Sequence, residues 1–223
     1  MTDILLDCVE IETGPLPTRA VIWLHGLGAD GHDFEPIVPE LDLRGLPAIR
    51  FVFPHASVRP VTINGGMAMR AWYDIVVADL VRREDDAGIR ASQRQVAALI
   101  ARENQRGVAS EHIVLAGFSQ GCAMTLQAGL RHPERLAGLV ALSGYLPLAA
   151  TLDAERNPAN AATPIFMGHG TADPVVAPER AAASRDALRQ MGYPVEWHDY
   201  PMPHSVCAPE VADIAAFLRK TLA

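Results

Sequence analysis

Lysine is nearly absent from this chain of 223 residues, because only Lys220 among its 19 basic residues is a lysine. A Schiff-base mechanism is therefore not expected, and the lack of any Gly-Lys-Ser/Thr sequence excludes a Walker phosphate-binding loop. Cysteine is also scarce, and Cys8, Cys122 and Cys207 show no paired spacing. They predict neither a disulfide framework nor a structural zinc site, and they favour free thiols in a reducing, cytoplasmic compartment.

An excess of positive charge is also missing, since the formal net charge is −7 and the isoelectric point about 5.6. Nucleic acid is therefore not an expected partner. Four acidic residues precede the first basic one, Arg19, so the chain does not begin like a secretory signal. Two long uncharged runs, residues 113–130 and 136–152, contain serine, threonine, glutamine, glycine or proline. We interpret them as buried strands and a buried helix rather than membrane spans.

The chain alternates between short apolar segments rich in Val and Ile and longer amphipathic ones, without repeats or linkers. This alternation predicts an α/β fold in one domain, residues 1–223, with a mostly parallel central sheet and helices on both faces. Functional residues should then follow the carboxyl ends of strands. Strands are predicted at residues 4–11, 20–24, 49–53, 113–116, 139–142, 165–167 and 195–200, and helices at 91–106, 122–131, 181–191 and 209–222.

Local signals refine this outline. Ser92 and Gln95 have the spacing of a capping box at the start of the first predicted helix. Gly192 provides a C-terminal stop for the third predicted helix. Residues 55–72 and 147–163 break the alternation and predict long irregular loops, which are often lids or binding loops.

The strongest chemical signal is the segment 117–121, GFSQG, between a predicted strand and a predicted helix. A serine at such a tight turn is pushed out of the backbone, and the free N–H groups of the helix N-terminus lie beside it. Ser119 is therefore the candidate nucleophile.

A serine hydroxyl needs a base, and the base needs an orienting acid. His204 lies in a proline-framed loop after the last predicted strand, and Asp173 follows the strand at 165–167. The chain order Ser119, Asp173, His204 is the order of an α/β-hydrolase triad, with Asp199 as the rival acid. The remaining histidines are interpreted as loop, surface or packing residues: His25 in an oxyanion loop, His169 shaping the acid loop, and His32, His55, His112, His132 and His198 elsewhere.

Two backbone amides are the candidate oxyanion donors: that of Gln120, directly after the nucleophile, and that of Leu27, in the loop after an early strand. The loop segment 26–31, GLGADG, also matches the dinucleotide-binding pattern. The next predicted strand ends in Phe-Pro-His without the acidic residue that such a site needs, so this reading is disfavoured. Asp30, His32 and Asp33 lack a spacing that sets metal-ligand geometry, and no metal is predicted.

Together, four segments resemble the phospholipase/carboxylesterase family: residues 25–31 (HGLGADG), 117–121 (GFSQG), 168–176 (GHGTADPVV) and 202–205 (MPHS). The resemblance implies an α/β-hydrolase without a large cap domain. It implies catalysis by Ser119, Asp173 and His204, with Leu27 and Gln120 as oxyanion donors. It also implies that no metal or organic cofactor takes part.

The resemblance further implies that Trp72, in the segment AWYD at residues 71–74, lines the substrate pocket, and a place in the hydrophobic core is the alternative for this residue. The apolar residues Ile63, Met67 and Met69 of the preceding loop favour an apolar acyl groove. Position 2 is threonine rather than a cysteine that could carry a lipid, so stable membrane anchoring is not expected. A homodimer is implied by the resemblance alone.

The expected reaction is the hydrolysis of small-molecule or lipid esters and thioesters through an acyl-enzyme. Lysophospholipase and acyl-protein thioesterase activity stay open as the main role. A non-catalytic, ligand-binding hydrolase scaffold is the alternative from a different class of protein.

Overall fold

A seven-stranded sheet lies at the centre of the computed structural model, which describes residues 5–76 and 84–223. A separate two-stranded sheet lies beside it and is formed by the fourth and fifth strands. In chain order the strands are β1 (Cys8–Glu12), β2 (Arg19–Leu24), β3 (Ile49–Pro54), β4 (Val58–Val61), β5 (Met67–Arg70), β6 (Ile113–Phe118), β7 (Gly138–Leu142), β8 (Ile165–Gly170) and β9 (Val195–Tyr200).

The strand order of the large sheet is β1-β3-β2-β6-β7-β8-β9, and only β1 runs antiparallel to its neighbour. The mostly parallel sheet predicted from the alternation is therefore confirmed. Because β2 and β6 to β9 run in the same direction, the loops that follow them meet at one edge of the sheet.

Helices cover both faces of this sheet. Residues of the first four helices contribute to one apolar cluster, and residues of the fifth contribute to a second cluster on the opposite face. The helices are α1 (Asp86–Gln105), α2 (Gln120–Arg131), α3 (Ala149–Glu155), α4 (Pro178–Gln190) and α5 (Ala208–Leu222). None of the helices in the described ranges is long and apolar enough to cross a membrane.

The two-residue period of a strand explains how β2 serves both clusters. Ala20, Ile22 and Leu24 pack into the first cluster, while Val21 and Trp23 pack into the second. Side chains alternate across a strand, and a strand covered on both faces must therefore be apolar at nearly every position. This is why the predicted strands could be recognised as short, uninterrupted apolar runs.

Three predictions of local structure need correction. The first strand spans Cys8–Glu12 rather than residues 4–11, and residue 4 lies outside the described part of the chain. Helix α1 begins at Asp86, not near residue 91, because the Asp85 carboxylate caps it by accepting from the Gly88 N–H at 2.9 Å. Ser92, predicted in a capping box, lies inside the helix, and its hydroxyl donates to the Trp72 carbonyl.

The two segments predicted as irregular loops both contain regular structure. Residues 55–72 include the antiparallel hairpin β4–β5, whose register pairs Val58 with Arg70 and Val61 with Met67. Its turn contains Gly65 and Gly66, both with positive φ. Residues 147–163 contain α3 and a short 3-10 helix at Pro158–Asn160.

Candidate active site

Ser119 occupies a strained turn between β6 and α2. Its φ of 56° and ψ of −115° lie in a region that residues with a side chain rarely adopt. The turn is held by the Ser119 amide, which donates to the Leu142 carbonyl at 2.9 Å. The Ser119 carbonyl in turn accepts from Ala123 at 3.2 Å, so the helix begins immediately after the serine.

The glycines on either side of this serine are required by space. A Cβ on Gly117 would lie 2.3 Å from the Gly121 carbonyl carbon and oxygen. A Cβ on Gly121 would lie 2.0 Å from the Leu24 carbonyl oxygen. Helix α2 therefore approaches β2 and β6 so closely that only glycine fits, which explains the GFSQG pattern physically.

His204 and Asp173 are brought together by the loops after β9 and β8. The His204 Nδ1 lies 2.7 Å from one carboxylate oxygen of Asp173. The imidazole ring also lies 4.7 Å from the ring of Phe118, the direct neighbour of Ser119. In the described residues no hydrogen bond joins Ser119 to His204; such contacts often tighten only in the substrate complex.

The second oxygen of the Asp173 carboxylate accepts from the amides of Val175 at 2.8 Å and Val176 at 2.9 Å. Burial alone would raise the pKa of Asp173, but the hydrogen bonds from His204, Val176 and Val175 outweigh it and lower the pKa. The carboxylate is therefore charged at neutral pH and fixed in orientation. Asp199, the rival acid, is exposed on β9.

The loop carrying Leu27 is held in place by His25. Burial lowers the pKa of His25 to about 4, so its ring is neutral. Its Nδ1 lies 2.7 Å from the Gly26 carbonyl, and its Nε2 lies 3.0 Å from the Ala56 amide. The amide can only donate, so Nε2 accepts and the proton sits on Nδ1. The histidine thus links the loop after β2 to the start of the hairpin segment.

Ser119 opens into a cavity of about 270 Å³. Leu27 and Gln120, the two residues predicted to supply oxyanion donors, line the same cavity. The rest of the lining is mostly apolar or aromatic: Ile63, Asn64, Tyr73, Ile75, Tyr145, Val175 and Val176. Nucleophile, candidate oxyanion donors and an apolar chamber therefore meet at one place.

Of the four residues predicted to bind substrate, Ile63 lines this cavity and three are placed elsewhere. Trp72 is fully buried, and Met67 is 65% exposed on the hairpin. The Met69 sulfur accepts from the Asn64 side-chain amide at 3.3 Å and packs beside Gly28. Trp72, Met67 and Met69 are therefore not among the residues that line this cavity, and their contact with substrate stays a prediction.

Trp72 instead positions the residues around the serine. Its amide donates to the Gln120 side chain at 3.0 Å, and its indole N–H donates to the His25 carbonyl at 2.9 Å. The Gln120 side-chain amide donates back to the Tyr73 carbonyl at 2.8 Å. These bonds tie the segment after the hairpin to the first residue of α2 and to the Leu27 loop.

Sequence reasoning missed the aromatic wall of the cavity. Tyr73 and Tyr145 line it, and their hydroxyl oxygens are 2.7 Å apart. Tyr145 follows the carboxyl end of β7, so the rule that predicted Asp173 and His204 could have marked it as well. Val175 and Val176 lie two and three residues beyond Asp173, but no local pattern predicts that their side chains face the cavity.

A serine in a tight turn between β6 and α2, followed by an aspartate after β8 and a histidine after β9, is the arrangement of an α/β-hydrolase. The sheet topology and the chain order serine, aspartate, histidine agree with this class. The chain belongs to the phospholipase/carboxylesterase family, whose model matches residues 6–222, and it is thus an enzyme of the serine-hydrolase class.

Individual relatives agree with the family assignment. The chain is 44% identical over 215 residues to acyl-protein thioesterase 1 of Neurospora crassa, covering 92% of this chain and 87% of that protein. It is 40% identical to acyl-protein thioesterase 1 of Mycosarcoma maydis, covering 94% of each. The crystal structure of Arabidopsis thaliana SOBER1 superimposes with a TM-score of 0.87 at 31% identity, covering 92% of this chain and 99% of that one.

Proposed function

We propose that this serine esterase hydrolyses carboxylic esters and thioesters with Ser119 as nucleophile, His204 as general base and Asp173 as its orienting acid. The observation that carries the proposal is that Ser119, in its strained turn, shares one cavity with Leu27 and Gln120. The hydrogen-bonded His204–Asp173 pair supports it from the neighbouring loops.

In the proposed reaction, the Ser119 oxygen attacks the acyl carbonyl and His204 takes the serine proton. Negative charge develops on the carbonyl oxygen, where the backbone amides of Leu27 and Gln120 donate to it. The charged Asp173 stabilises the imidazolium, which then protonates the departing alcohol or thiol. Water activated by His204 attacks the acyl-serine and releases the acid, restoring both residues.

The apolar cavity supports an acyl group as the part of the substrate that is bound. Its volume of about 270 Å³ lies at the small end of ligand sites, which usually span about 300–1,000 Å³. The segment at residues 55–72 is the proposed acyl-site element, and it contributes Ile63 from the 3-10 turn between β4 and β5. Such a chamber favours short and medium acyl chains.

Acyl-protein thioesterase activity is the second candidate. Its support is the name shared by curated relatives at 36–44% identity over nearly the whole chain. A thioester and an oxyester pass through the same tetrahedral intermediate, so the proposed catalytic residues serve both. The candidates therefore differ in the leaving group and in chain length.

The test measures kcat/KM for p-nitrophenyl esters from acetyl to palmitoyl, with wild type beside Ser119→Ala. Matched acyl thioesters and a palmitoylated peptide extend the same series. We expect a maximum at short or medium chain length, and a loss of about 10⁴-fold or more in Ser119→Ala, because the nucleophile is removed.

Each outcome separates the candidates. Efficient cleavage of the palmitoylated peptide would make acyl-protein thioesterase the main role, and preference for lysophospholipid would favour lysophospholipase. Equal activity in Ser119→Ala would overturn the catalytic assignment. A folded wild-type protein that binds an ester without hydrolysing it would support the alternative of a non-catalytic, ligand-binding scaffold.

A further inference from the structure

Two buried tyrosines with paired hydroxyl groups line the proposed acyl cavity. Tyr73 and Tyr145 are 2% and 3% exposed, and their oxygens are 2.7 Å apart. Both line the cavity that contains Ser119. The other polar side chains of the lining belong to Ser119, its neighbour Gln120 and Asn64, so the proposed catalytic reaction does not account for the hydroxyl pair.

The hydroxyl pair has more donors than it uses. Each phenol carries one proton, and the contact between the two oxygens uses only one of them. Burial raises the pKa of Tyr73 and of Tyr145, so both protons are present at neutral pH. In the part of the chain that the structure describes, no other hydrogen bond is made by either hydroxyl. One of the two O–H donors therefore has no acceptor among the described residues.

The tyrosine pair is held in place from both sides. The Arg180 guanidinium lies over the Tyr145 ring, 3.5 Å from its centroid. This cation–π contact fixes the ring, and the positive charge draws electron density from the phenol, which makes its O–H a better donor. On the other side, the Tyr73 carbonyl accepts from Gln120 beside the nucleophile.

We propose that the Tyr73–Tyr145 pair is a specificity-determining donor for acyl groups that carry an acceptor oxygen, such as an ether, keto or hydroxyl oxygen, along the chain. A buried donor without an acceptor lowers the stability of a complex, so a plain hydrocarbon chain leaves the site incompletely satisfied. An acyl chain with an oxygen at the matching depth accepts from the free O–H. The inference rests on the proposed function, because it requires that this cavity hold the acyl group.

The test replaces single methylene groups by oxygen. p-Nitrophenyl hexanoate is compared with its isosteric oxa-analogues, in which an ether oxygen stands at position 3, 4 or 5 of the chain. Each kcat/KM is divided by the rate of alkaline hydrolysis of the same ester, which removes the inductive effect of the oxygen. We expect one position to exceed hexanoate by about fivefold to tenfold in the wild type, the value of one hydrogen bond.

The variants assign the donor. In either single variant the remaining tyrosine keeps its O–H and loses its hydrogen-bond partner, so each single variant retains one donor. The double variant Tyr73→Phe/Tyr145→Phe removes both, and we expect the ratio of oxa-ester to hexanoate to fall to about one. A loss already in one single variant would assign the donor to that hydroxyl.

Failure of this inference is distinguishable from failure of the proposed function. If the wild type hydrolyses all the esters without preferring any oxa-analogue, the donor role is overturned while the esterase assignment stands. A preference that survives in the double variant overturns it equally. If Ser119→Ala retains wild-type activity on these esters, the proposed function itself has failed. Should the double variant not fold, a wild-type series without any preferred oxa-analogue still overturns the inference, and a loss of the preference in either single variant still supports it.

Discussion

Strain and close packing at single residues shape this site. Ser119 adopts a positive φ, and an added methyl group at Gly117 or Gly121 would collide with backbone atoms. Unfavourable backbone geometry persists only where the surrounding structure enforces it. Here the enforcing contacts are the packing of α2 against β2 and β6 and the bond from the Ser119 amide to the Leu142 carbonyl. The backbone conformation of Ser119 is therefore fixed by the fold itself.

Glu210 is a second unusual residue. It lies on α5, the helix whose residues contribute to the second apolar cluster. It is fully buried in the first turn of α5, and neither of its carboxyl oxygens has a hydrogen-bond partner among the described residues. One oxygen packs against the Cα of Gly168, where a Cβ would lie only 2.1 Å away. Burial, followed by the charge of Asp213, raises the pKa of Glu210 to about 8.

A stability prediction follows for Glu210→Gln. Between pH 5 and 8 the folded state keeps a proton that the unfolded chain releases, so the free energy of unfolding of the wild type falls as pH rises. The slope from this residue is at most about 1.4 kcal/mol per pH unit. Glu210→Gln removes this slope, so the variant gains stability relative to wild type with increasing pH. Urea denaturation at pH 5, 6, 7 and 8 measures the difference.

Glu179 provides a matched control for this experiment. It also follows a proline in the first turn of its helix, α4, but it is exposed. We expect Glu179→Gln to leave the pH dependence of unfolding as it is in the wild type. Parallel wild-type and Glu210→Gln curves would mean that Glu210 is charged in the folded state.

The comparison of Glu210 with the motif residues shows what could be predicted from the sequence. Residues 117–121 and 168–176 combine chemistry with a local turn; the first segment runs from the end of β6 into α2, and the second from the end of β8 into the loop after it. A glutamate in the first turn of a helix predicts an exposed charge that favours the helix dipole. Its burial depends on how α5 packs against Gly168, and Glu210 and Gly168 are 42 residues apart in the chain. Tyr73 and Tyr145 meet for the same non-local reason.

At the scale of elements, the hairpin β4–β5 is the feature that the sequence least revealed. Its strands are short, four residues each, and Pro60 in β4 argues against a strand. The proline is accommodated because this sheet has two strands only, so both are edges. The Asn-Gly-Gly sequence at residues 64–66 was the available turn signal. Composition alone therefore suggested a loop where the chain forms a wall of the cavity.

The hairpin yields a prediction that separates its cavity face from its outer face. Ile63→Ser introduces a hydroxyl into the proposed acyl cavity, and we expect kcat/KM for p-nitrophenyl hexanoate to fall about threefold to tenfold. Met67→Ser changes an apolar residue of the same hairpin that is 65% exposed and does not line the cavity. We expect its kcat/KM to stay within about twofold of wild type. A larger loss in Met67→Ser than in Ile63→Ser would contradict the conclusion that Ile63, and not Met67, faces the cavity.

At the scale of the whole molecule, the parallel direction of the strands accounts for the position of the candidate site. Ser119, Asp173 and His204 are far apart in the chain, but they follow β6, β8 and β9, which are all parallel. The sheet thus gathers side chains from three loops at one edge. The sequence order of elements was enough to predict this meeting point, because it depends on topology rather than on the details of packing.

A network of ion pairs joins β1, β3 and α1, which are far apart in the chain. Arg50 of β3 lies 2.8 Å from Glu103 of α1 and 2.8 Å from Glu12 of β1. Arg106 also contacts Glu103, at 3.0 Å. Glu103 is fully buried, and Arg50 is 7% exposed. A buried ion pair adds little net stability by itself, but removing one partner leaves an unpaired buried charge.

Glu103→Ala should therefore destabilise the whole fold. We expect a loss of about 3 kcal/mol in the free energy of unfolding, the lower end of the range for breaking a buried pair, because Glu12 still contacts Arg50. The control is Asp153→Ala. The Asp153 side chain pairs with Arg156 but is 77% exposed, so we expect its removal to lower the free energy of unfolding by less than about 0.5 kcal/mol. Urea denaturation at neutral pH measures both. A loss below about 1 kcal/mol in Glu103→Ala would mean that the Arg50 charge is stabilised without α1, and that this network does not hold the helix against the sheet.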